Sequence, residues 1–185
     1  MRPGPAPFPP PPADPLPAPA ALSARGLTLR PAADADLPWL RLLYASTRAD
    51  EFAPLGWPED AQRAFLDQQC ALQHAHYLRC FPDALFLLLD GPQGPCGRLY
   101  LLRRVPDHLL IDISLLPPWR GAGIGGALVA AAQEDAAARG RGLHLHVARG
   151  NPRARSLYER LGFRADAAQD SASHLAMRWR RETLS

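Results

Sequence analysis

One strand-turn-helix stretch constrains the fold of this chain more than any other part of the sequence. The apolar run from Leu109 to Leu116 is typical of a buried strand, and Pro117 and Pro118 follow it directly. Because proline has no amide hydrogen to donate to a strand ladder, we expect strand pairing to stop at Leu116. Glycines then lead into an alanine-rich segment, which predicts a helix from Gly123 to about Arg139. Such a turn presents backbone N–H groups at a helix N-terminus and can bind phosphate oxygens.

The order of the other predicted elements indicates an α/β fold with a mixed sheet. Strands at 84–90, 98–103 and 109–116 have short connections and therefore form an antiparallel meander. The strand at 143–147 follows the predicted helix, so it should lie parallel to the strand at 109–116. Sequence patterns also place a strand at 27–30, helices ending near 48, at 59–79 and at 151–161, and closing strands at 163–164 and 174–179.

Composition divides the chain into a tail and one domain. Residues 1–24 are mostly proline and alanine, with ten prolines between Pro3 and Pro19, which predicts a disordered tail. Residues 25–182 carry the patterned elements and are predicted to form a single folded domain. An apolar fraction of 47% over 185 residues is enough to build its core.

Charge and cysteine content exclude several classes of partner. All 21 basic residues are arginine and the formal net charge is +3, which indicates biased codon usage rather than nucleic-acid binding. No apolar run is long enough to span a bilayer, and the chain does not open on a secretory signal, so we expect no membrane association. Three cysteines without CxxC spacing predict reduced thiols, no metal site and a cytoplasmic protein.

The glycines of the turn also fit the dinucleotide fingerprint GxGxxG, at Gly121, Gly123 and Gly126. That fingerprint belongs after the first strand of a βαβ unit, with an acidic residue about 20 positions further on. Here the turn follows a meander, and the next strand ends at Val147 without an acid. A Walker loop is excluded as well, because no Gly-Lys-Ser/Thr follows.

A better match is found in the GCN5-related N-acetyltransferase (GNAT) family. The segment 120–125, Arg-Gly-Ala-Gly-Ile-Gly, fits the family's Arg/Gln-x-x-Gly-x-Gly/Ala motif. The segment from Asn151 to Phe163 resembles a later motif of Asn, Ala, Leu-Tyr and Gly-Phe. Residues 111–115 are similar to its fourth strand. The resemblance implies a mixed, mostly antiparallel sheet with helices on both faces and a parallel β-α-β crossover at the cofactor site.

The resemblance also implies that acetyl-CoA is the acetyl donor. The turn amides would hold its pyrophosphate, while the strand before the turn would pair with the pantetheine arm by strand addition. Asn151 can also be explained without a ligand, because Asn before Pro152 is a good helix N-cap. The implied binding residues are Ser114, Leu115, Leu116, Arg120, Gly121, Ala122, Gly123, Ile124, Gly125, Gly126 and Asn151.

Two residues are candidates for catalysis of acetyl transfer to an amine. The resemblance places Tyr158 near the thioester sulfur as the acid for the leaving thiolate; the alternative is a tyrosine that packs in the core. Asp112 is the candidate base, because an acid in an apolar strand must be paired or solvated. The alternative is an ion pair with Arg98 or Arg103, and a base acting through water is also open.

Other polar residues admit a structural and a functional interpretation. His144 and His146 share one face of their strand, and either could act as the base. Arg149, Arg153 and Arg155 could meet the 3′-phosphate of CoA or be solvated. Acids beside aromatic residues in the segment 50–60 suit a cationic amine or a solvated helix start.

The sequence therefore predicts an acetyl-CoA-dependent N-acetyltransferase acting on a small amine or a peptide N-terminus by direct transfer. Two alternatives stay open. One is a regulatory module that binds acyl-CoA without catalysis. The other is transfer to a hydroxyl group or from a longer acyl-CoA. The sequence leaves open whether the chain is a monomer or a homodimer.

Overall fold

A single seven-stranded sheet organises residues 6–181, which are the residues that the computed structural model describes. In spatial order the strands run β1-β2-β3-β4-β5-β7-β6, and all neighbours are antiparallel except β4 and β5. The predicted mixed sheet and its parallel crossover are confirmed. The strands are β1 (Thr28–Pro31), β2 (Leu85–Gly91), β3 (Gly94–Leu102), β4 (Asp107–Leu115), β5 (Gly142–Ala148), β6 (Arg164–Ala165) and β7 (His174–Trp179).

Five α-helices connect and cover these strands. They are α1 (Ala20–Ser23), α2 (Leu37–Phe52), α3 (Glu59–Cys80), α4 (Ile124–Ala138) and α5 (Pro152–Arg160). Helix α2 runs to Phe52, four residues past the predicted end, and continues as a 3-10 turn over Ala53–Leu55, because Pro54 has no amide hydrogen to extend the α-helical ladder. None of the helices in the described part of the chain is long and apolar enough to cross a membrane.

The two faces of the sheet carry separate apolar clusters. On one face, α4 packs its buried Leu128, Val129 and Ala132 against β3, β4 and β5. On the other face, α2 and α3 cover β2 and β3, with Leu43 and Phe86 in the cluster. The predicted arrangement of helices on both faces is therefore confirmed.

A bulge in β4 marks the place where the parallel pair opens. Opposite β3, Tyr100 pairs with Asp112 but the next residue, Leu101, pairs with Leu110, so Ile111 is an extra residue on β4. The parallel register between β4 and β5 ends at the same level, at Leu110 and Leu145. Beyond that point β4 and β5 no longer pair with each other, and β4 continues toward the two prolines paired only with β3.

Part of the predicted tail is packed, which differs from the predicted disorder. Leu16 and Leu22 are 4% and 1% exposed and belong to the cluster under α4. Phe8 packs against His74, with ring centroids 4.7 Å apart, and against Phe86. Prolines prevent a strand ladder here but not the burial of the apolar side chains between them. Residues 1–5 and 182–185 lie outside the described residues, and the domain limits at 25 and 182 stay predictions.

Substitution of Gly97 should test how tightly β3 and β4 approach at the end of the meander. A Cβ on Gly97 would lie 2.9 Å from the backbone oxygen of Ser114 and would overlap the Leu115 side chain. We expect Gly97→Ala to lower the free energy of unfolding by about 1–3 kcal/mol, measured by urea denaturation. Gly150→Ala is the control, because nothing lies within 4 Å of its Cβ position. Equal stability of the two variants would contradict the close approach.

Candidate active site

The turn before α4 offers a row of backbone amides without partners. Gly121 and Gly123 both have φ of 79°, a backbone conformation that glycine adopts at little cost. Within residues 6–181, the amides from Gly121 to Gly126 make no hydrogen bond, and the first bonded amide after the turn is that of Ala127, to the Gly123 oxygen at 3.0 Å. Six free N–H groups at the start of a 15-residue helix form a cradle for an anion.

Arg120 ties this turn to the neighbouring elements. Its Nε donates to the Leu115 carbonyl oxygen at 2.8 Å, and its Nη2 approaches the Ser46 carbonyl oxygen at 3.3 Å. Its own amide donates to the Pro117 oxygen at 3.1 Å. The side chain thus fixes the turn between the end of β4 and helix α2. Whether Arg120 also contacts a ligand stays a prediction.

The free edge of β4 is the proposed place for strand addition. The strand ends at Leu115, one residue before the predicted stop, while the Leu116 amide still donates to the Cys96 oxygen at 2.9 Å. The β4 edge that faces β5 has no strand partner after Leu110 among the described residues. Arg120 already occupies the Leu115 carbonyl, so the unpaired edge available to a ligand lies nearer to Ser114.

Helix α5 carries two of the predicted site residues. The Asn151 side chain accepts a hydrogen bond from the Ala154 amide at 3.0 Å and caps the helix, which is the structural role that the sequence suggests. Leu157 lies against Gly125 and Gly126, where added Cβ atoms would meet its methyl groups at 3.9 and 3.6 Å. Helix α5 therefore packs directly beside the turn.

Tyr158 lies on the same helix with its ring in the core. The residue is 7% exposed, and its ring centroid is 5.7 Å from that of Phe163. Burial and, to a smaller extent, the charge of Asp112 raise the pKa of Tyr158 to about 12. Its hydroxyl makes no hydrogen bond to any described residue. Tyr158 is therefore a protonated, unengaged donor within electrostatic reach of Asp112.

Asp112 lies in a buried polar network between β3, β4 and α3. Its two carboxylate oxygens accept hydrogen bonds from Arg98 Nε at 3.1 Å and Nη2 at 2.8 Å. The Tyr77 hydroxyl donates to it at 3.0 Å and the Ser114 hydroxyl at 2.9 Å. Arg98 also donates to Gln73 at 2.9 Å. The side chains of Arg98 and Asp112 are only 6% and 13% exposed.

The network contains the ion pair between Asp112 and Arg98 that the structural interpretation predicts, and a role of Asp112 as base stays a prediction. Burial alone would lower the pKa of Arg98, but the charge and hydrogen bond of Asp112 together with the nearby Tyr100 and Tyr77 outweigh it and raise that pKa. Burial and then the Asp112 charge also raise the pKa of Tyr77, which stays a donor. Both oxygens of the Asp112 carboxylate already accept hydrogen bonds within the network. Arg103, the other partner considered, pairs with Asp135 at 2.6 Å.

Two members of the network, Gln73 and Tyr77, were not identified from the sequence. The available signal was their spacing of four residues, which places both side chains on one face of α3. The partner strand could not be read the same way, because the bulge at Ile111 changes which side chains of β4 face α3.

His144 and His146 lie on the face of β5 opposite α4. Leu143, Leu145 and Val147 belong to the cluster under α4, so alternation directs the histidines to the other face. Their ring centroids are 4.6 Å apart. His144 is 3% exposed and its Nε2 has no hydrogen-bond partner among the described residues, whereas His146 is exposed.

His146 is the first residue of β5 beyond the end of its pairing with β4. Partial desolvation of the ring lowers the pKa of His146, and the nearby His174 lowers it further. Burial and the neighbouring His146 lower the pKa of His144 as well. An imidazole with a lowered pKa is neutral at pH 7 and can accept a proton. His146 thus places a neutral imidazole, close to the Gln169 backbone, one residue past the last pair of β4 and β5.

The segment between α2 and α3 brings aromatic and acidic side chains together. The rings of Phe52, Trp57 and Phe65 lie 5.5–5.7 Å from one another, and Trp57 is 43% exposed. Of the acids here, Glu51 pairs with Arg48 and Glu59 with Arg63. Asp50 and Asp60, by contrast, form no ion pair with any described residue.

Of the three arginines considered for a phosphate, only one lies at the turn without an acidic partner. Arg149 pairs with Asp170 at 3.0 Å and Arg155 with Glu159 at 2.8 Å. The Arg153 guanidinium instead lies 3.2 Å from the position that a Cβ on Gly121 would take.

A comparison with known families identifies the family of this chain. The chain matches the model of the acetyltransferase (GNAT) family over residues 44–163. Because that match covers more than half of the sequence, the chain belongs to the GNAT family. A comparison with curated proteins gives no match.

Solved structures share the fold at low sequence identity. The PaiA N-acetyltransferase from Thermoplasma acidophilum, solved in complex with coenzyme A, is 19% identical, with a TM-score of 0.65 over 84% of this chain and 99% of that one. An acetyltransferase from Thermus thermophilus is 24% identical, with a TM-score of 0.58 over 82% and 95%. A histone acetyltransferase HPA2 and related acetyltransferase from Corynebacterium glutamicum is 22% identical, with a TM-score of 0.59 over 86% and 99%.

Loss of the Asp112 charge should destabilise the fold strongly. Asp112→Asn leaves the buried Arg98 guanidinium without its counter-ion, and we expect a loss of about 3–5 kcal/mol in the free energy of unfolding. Guanidinium denaturation measures it. Glu59→Gln, which breaks a surface ion pair whose glutamate is 87% exposed, serves as the control and should have almost no effect. An equally small effect for Asp112→Asn would show that the buried pair is not a support of the fold.

Proposed function

We propose that this GNAT acetyltransferase uses acetyl-CoA to acetylate a primary amine by direct transfer. The observation that carries the proposal is the row of six free amides from Gly121 to Gly126 beside the unpaired edge of β4. An anion cradle and an open strand edge, side by side, match a ligand that has a pyrophosphate at one point and an amide-bearing arm next to it. The Thermoplasma neighbour holds coenzyme A, which supports the same assignment.

The residues present suit such a ligand in shape and in charge. The positive φ of Gly121 and Gly123 lets the backbone curve around the anion, and no Cβ stands in its way. The dipole of α4 adds a partial positive charge at the same point. The polar edge of β4 near Ser114 would receive the arm. Asn151 already serves as a helix cap and would contribute to binding only beside that role.

His146 is the residue that we assign as general base. Asp112 is held by Arg98 and Tyr77, while His146 is exposed and stands one residue past the last pair of β4 and β5. A primary alkylammonium with a pKa near 10 is only about 0.1% free amine at pH 7, so the acceptor must lose a proton before it attacks. The neutral imidazole of His146 can take that proton.

Acetyl transfer then proceeds by addition and elimination at the thioester carbon. The amine nitrogen forms a bond to the carbonyl carbon, and its second proton leaves for the base or for solvent. The carbon–sulfur bond breaks as the tetrahedral intermediate collapses to the amide. Tyr158 donates its hydroxyl proton to the departing thiolate and regains a proton from solvent. Because its pKa is about 12, Tyr158 is protonated and available at neutral pH.

The acceptor is assigned as an amine because of the aromatic and acidic side chains between α2 and α3. The half-exposed Trp57 beside Phe52 and Phe65 provides aromatic faces for a cation, and Asp50 and Asp60 add negative charge nearby. The choice between a small amine and a peptide N-terminus is left to the substrate panel.

The test is release of free CoA thiol from acetyl-CoA with a panel of primary amines, peptides with a free N-terminus and matching alcohols. We expect release that depends on the amine, with the acetyl group recovered as an amide by mass spectrometry. Tight acetyl-CoA binding without release with any acceptor would favour a regulatory binding module. Release with alcohols alone would indicate an O-acyltransferase, and faster turnover of longer acyl-CoA donors would revise the donor.

Replacement of His146 should lower the rate in a way that depends on pH. His146→Gln cannot accept a proton, so we expect kcat near pH 7 to fall by about 10²–10⁴-fold. The deficit should shrink above about pH 10, where the amine loses its proton unaided. In the unaltered enzyme, kcat should fall in acid along a limb whose pKa lies below the ordinary histidine range, because protonated His146 is no longer a base. The pH profile of kcat measures both.

Tyr158→Phe is the matched comparison for this experiment. Since Tyr158 stays protonated up to about pH 12, its removal should lower kcat by a similar factor across the whole range from acid to about pH 10. A His146 variant with the same flat deficit would argue against the base, and an unchanged rate in the Tyr158 variant would argue against the acid.

A further inference from the structure

We infer that the N-terminal segment is part of the phosphate site: Arg25 from this segment and Arg153 from α5 form a two-sided guanidinium clamp over the turn before α4. The inference rests on the proposed function, because the ligand of the clamp is the phosphate-bearing end of the acyl donor. It assigns a ligand-binding role to Arg25, which directly follows the proline- and alanine-rich tail and lies outside the motifs of the family.

Arg25 reaches the turn directly. Its Nη1 donates to the carbonyl oxygen of Ala122 at 3.0 Å, between the two glycines with positive φ. The residue is exposed, so its other N–H groups are open to solvent beside the turn. Within the described residues, Arg25 pairs with no acid. A guanidinium has five N–H donors, and one bond to Ala122 leaves four for an incoming anion.

Arg153 approaches the same turn from α5. One guanidinium nitrogen lies 3.2 Å from the position that a Cβ on Gly121 would occupy, so the group rests on the glycine backbone. Arg153 also lacks an acidic partner among residues 6–181, although Arg155, two positions further on, has one in Glu159. The guanidinium groups of Arg25 and Arg153, without acidic partners among the described residues, therefore lie beside six free amides. This arrangement favours an anion that carries more than one charge.

The N-terminal segment is anchored at both ends of α4, which fixes the position of Arg25. Near the C-terminal end of α4, Asp14 pairs with Arg139 and with Arg103. Between these ion pairs and the turn, Leu16 and Leu22 are buried in the cluster under α4. The segment thus lies along the helix and delivers Arg25 to the helix N-terminus. The contact of Arg25 with the turn and the buried apolar side chains together hold the segment against α4.

The chemistry of the clamp suits a pyrophosphate or a phosphate monoester, and CoA contains both. Guanidinium groups bind phosphate oxygens through paired N–H donors, and loss of one such contact weakens binding by roughly five- to fiftyfold. Among the described residues neither Arg25 nor Arg153 makes a hydrogen bond with Tyr158 or His146, so the clamp should affect donor binding and leave the chemical step alone.

The experiment measures CoA binding by calorimetry and KM for acetyl-CoA in the full-length chain and in Arg25→Ala and Arg153→Ala. We expect each variant to raise Kd and KM by roughly tenfold with kcat nearly unchanged. Arg160→Ala is the control, since it removes an exposed arginine from the last turn of the same α5 helix. Its Kd should change by less than about twofold, and the thermal unfolding midpoints of all variants should agree.

Donors that lack phosphates separate the sources of the effect. With S-acetylpantetheine, which has no phosphate, the two variants should match the unaltered chain. An equal loss with CoA and dephospho-CoA would place the clamp on the pyrophosphate, and a loss confined to CoA would place it on the 3′-phosphate; both support the clamp. A Kd for Arg25→Ala no higher than that of Arg160→Ala would overturn it.

The outcomes also distinguish this inference from the proposed function. CoA binding that depends on Arg25, without acetyl transfer to any acceptor, keeps the clamp and overturns the proposed enzyme activity. Transfer activity with a KM for acetyl-CoA insensitive to Arg25 does the reverse. Failure of the unaltered chain to bind CoA overturns both.

Discussion

Arg98 and Asp112 form an ion pair that is almost removed from water, and the opening between β4 and β5 is built around it. Strict alternation along β4 would direct Asp112 toward the apolar side of α4, where a carboxylate would have no partner. The extra residue at Ile111 turns it to the other face, where Arg98, Tyr77 and Ser114 meet it. The parallel pairing with β5 ends at this level, so the same local irregularity satisfies a buried charge and opens the cleft.

The cleft separates two kinds of polar group by the face of the sheet. On the side of α4 lie the free amides of the turn, which can hold a phosphate group. The protonated Tyr158, which can give a proton, lies on the same side. On the side of α2 and α3 lies His146, which can take a proton. The aromatic and acidic residues around Trp57, on the same side, can accept a cation. A donor that approaches from one side and an acceptor from the other would meet where the strands part.

Electrostatics around the turn come from residues that are distant in the sequence. Most charged arginines near the sheet are neutralised by acids, as Arg103 is by Asp135. Arg25 and Arg153 are different, because their neighbours at the turn are carbonyl and amide groups of the backbone. The positive field at this point is therefore the sum of an N-terminal residue, a residue on α5 and the dipole of α4.

The sequence by itself determined the elements and the turn, since proline, glycine and apolar periodicity act locally: Pro117 and Pro118 end β4, and glycines open α4 within one residue of the predicted start. It also placed Tyr158 and Asn151 on one helix. The tertiary structure alone decided the partner of Asp112, the burial of His144 against the exposure of His146, and the packing of Leu16 and Leu22. These depend on a one-residue bulge and on contacts between distant segments, which no local pattern encodes.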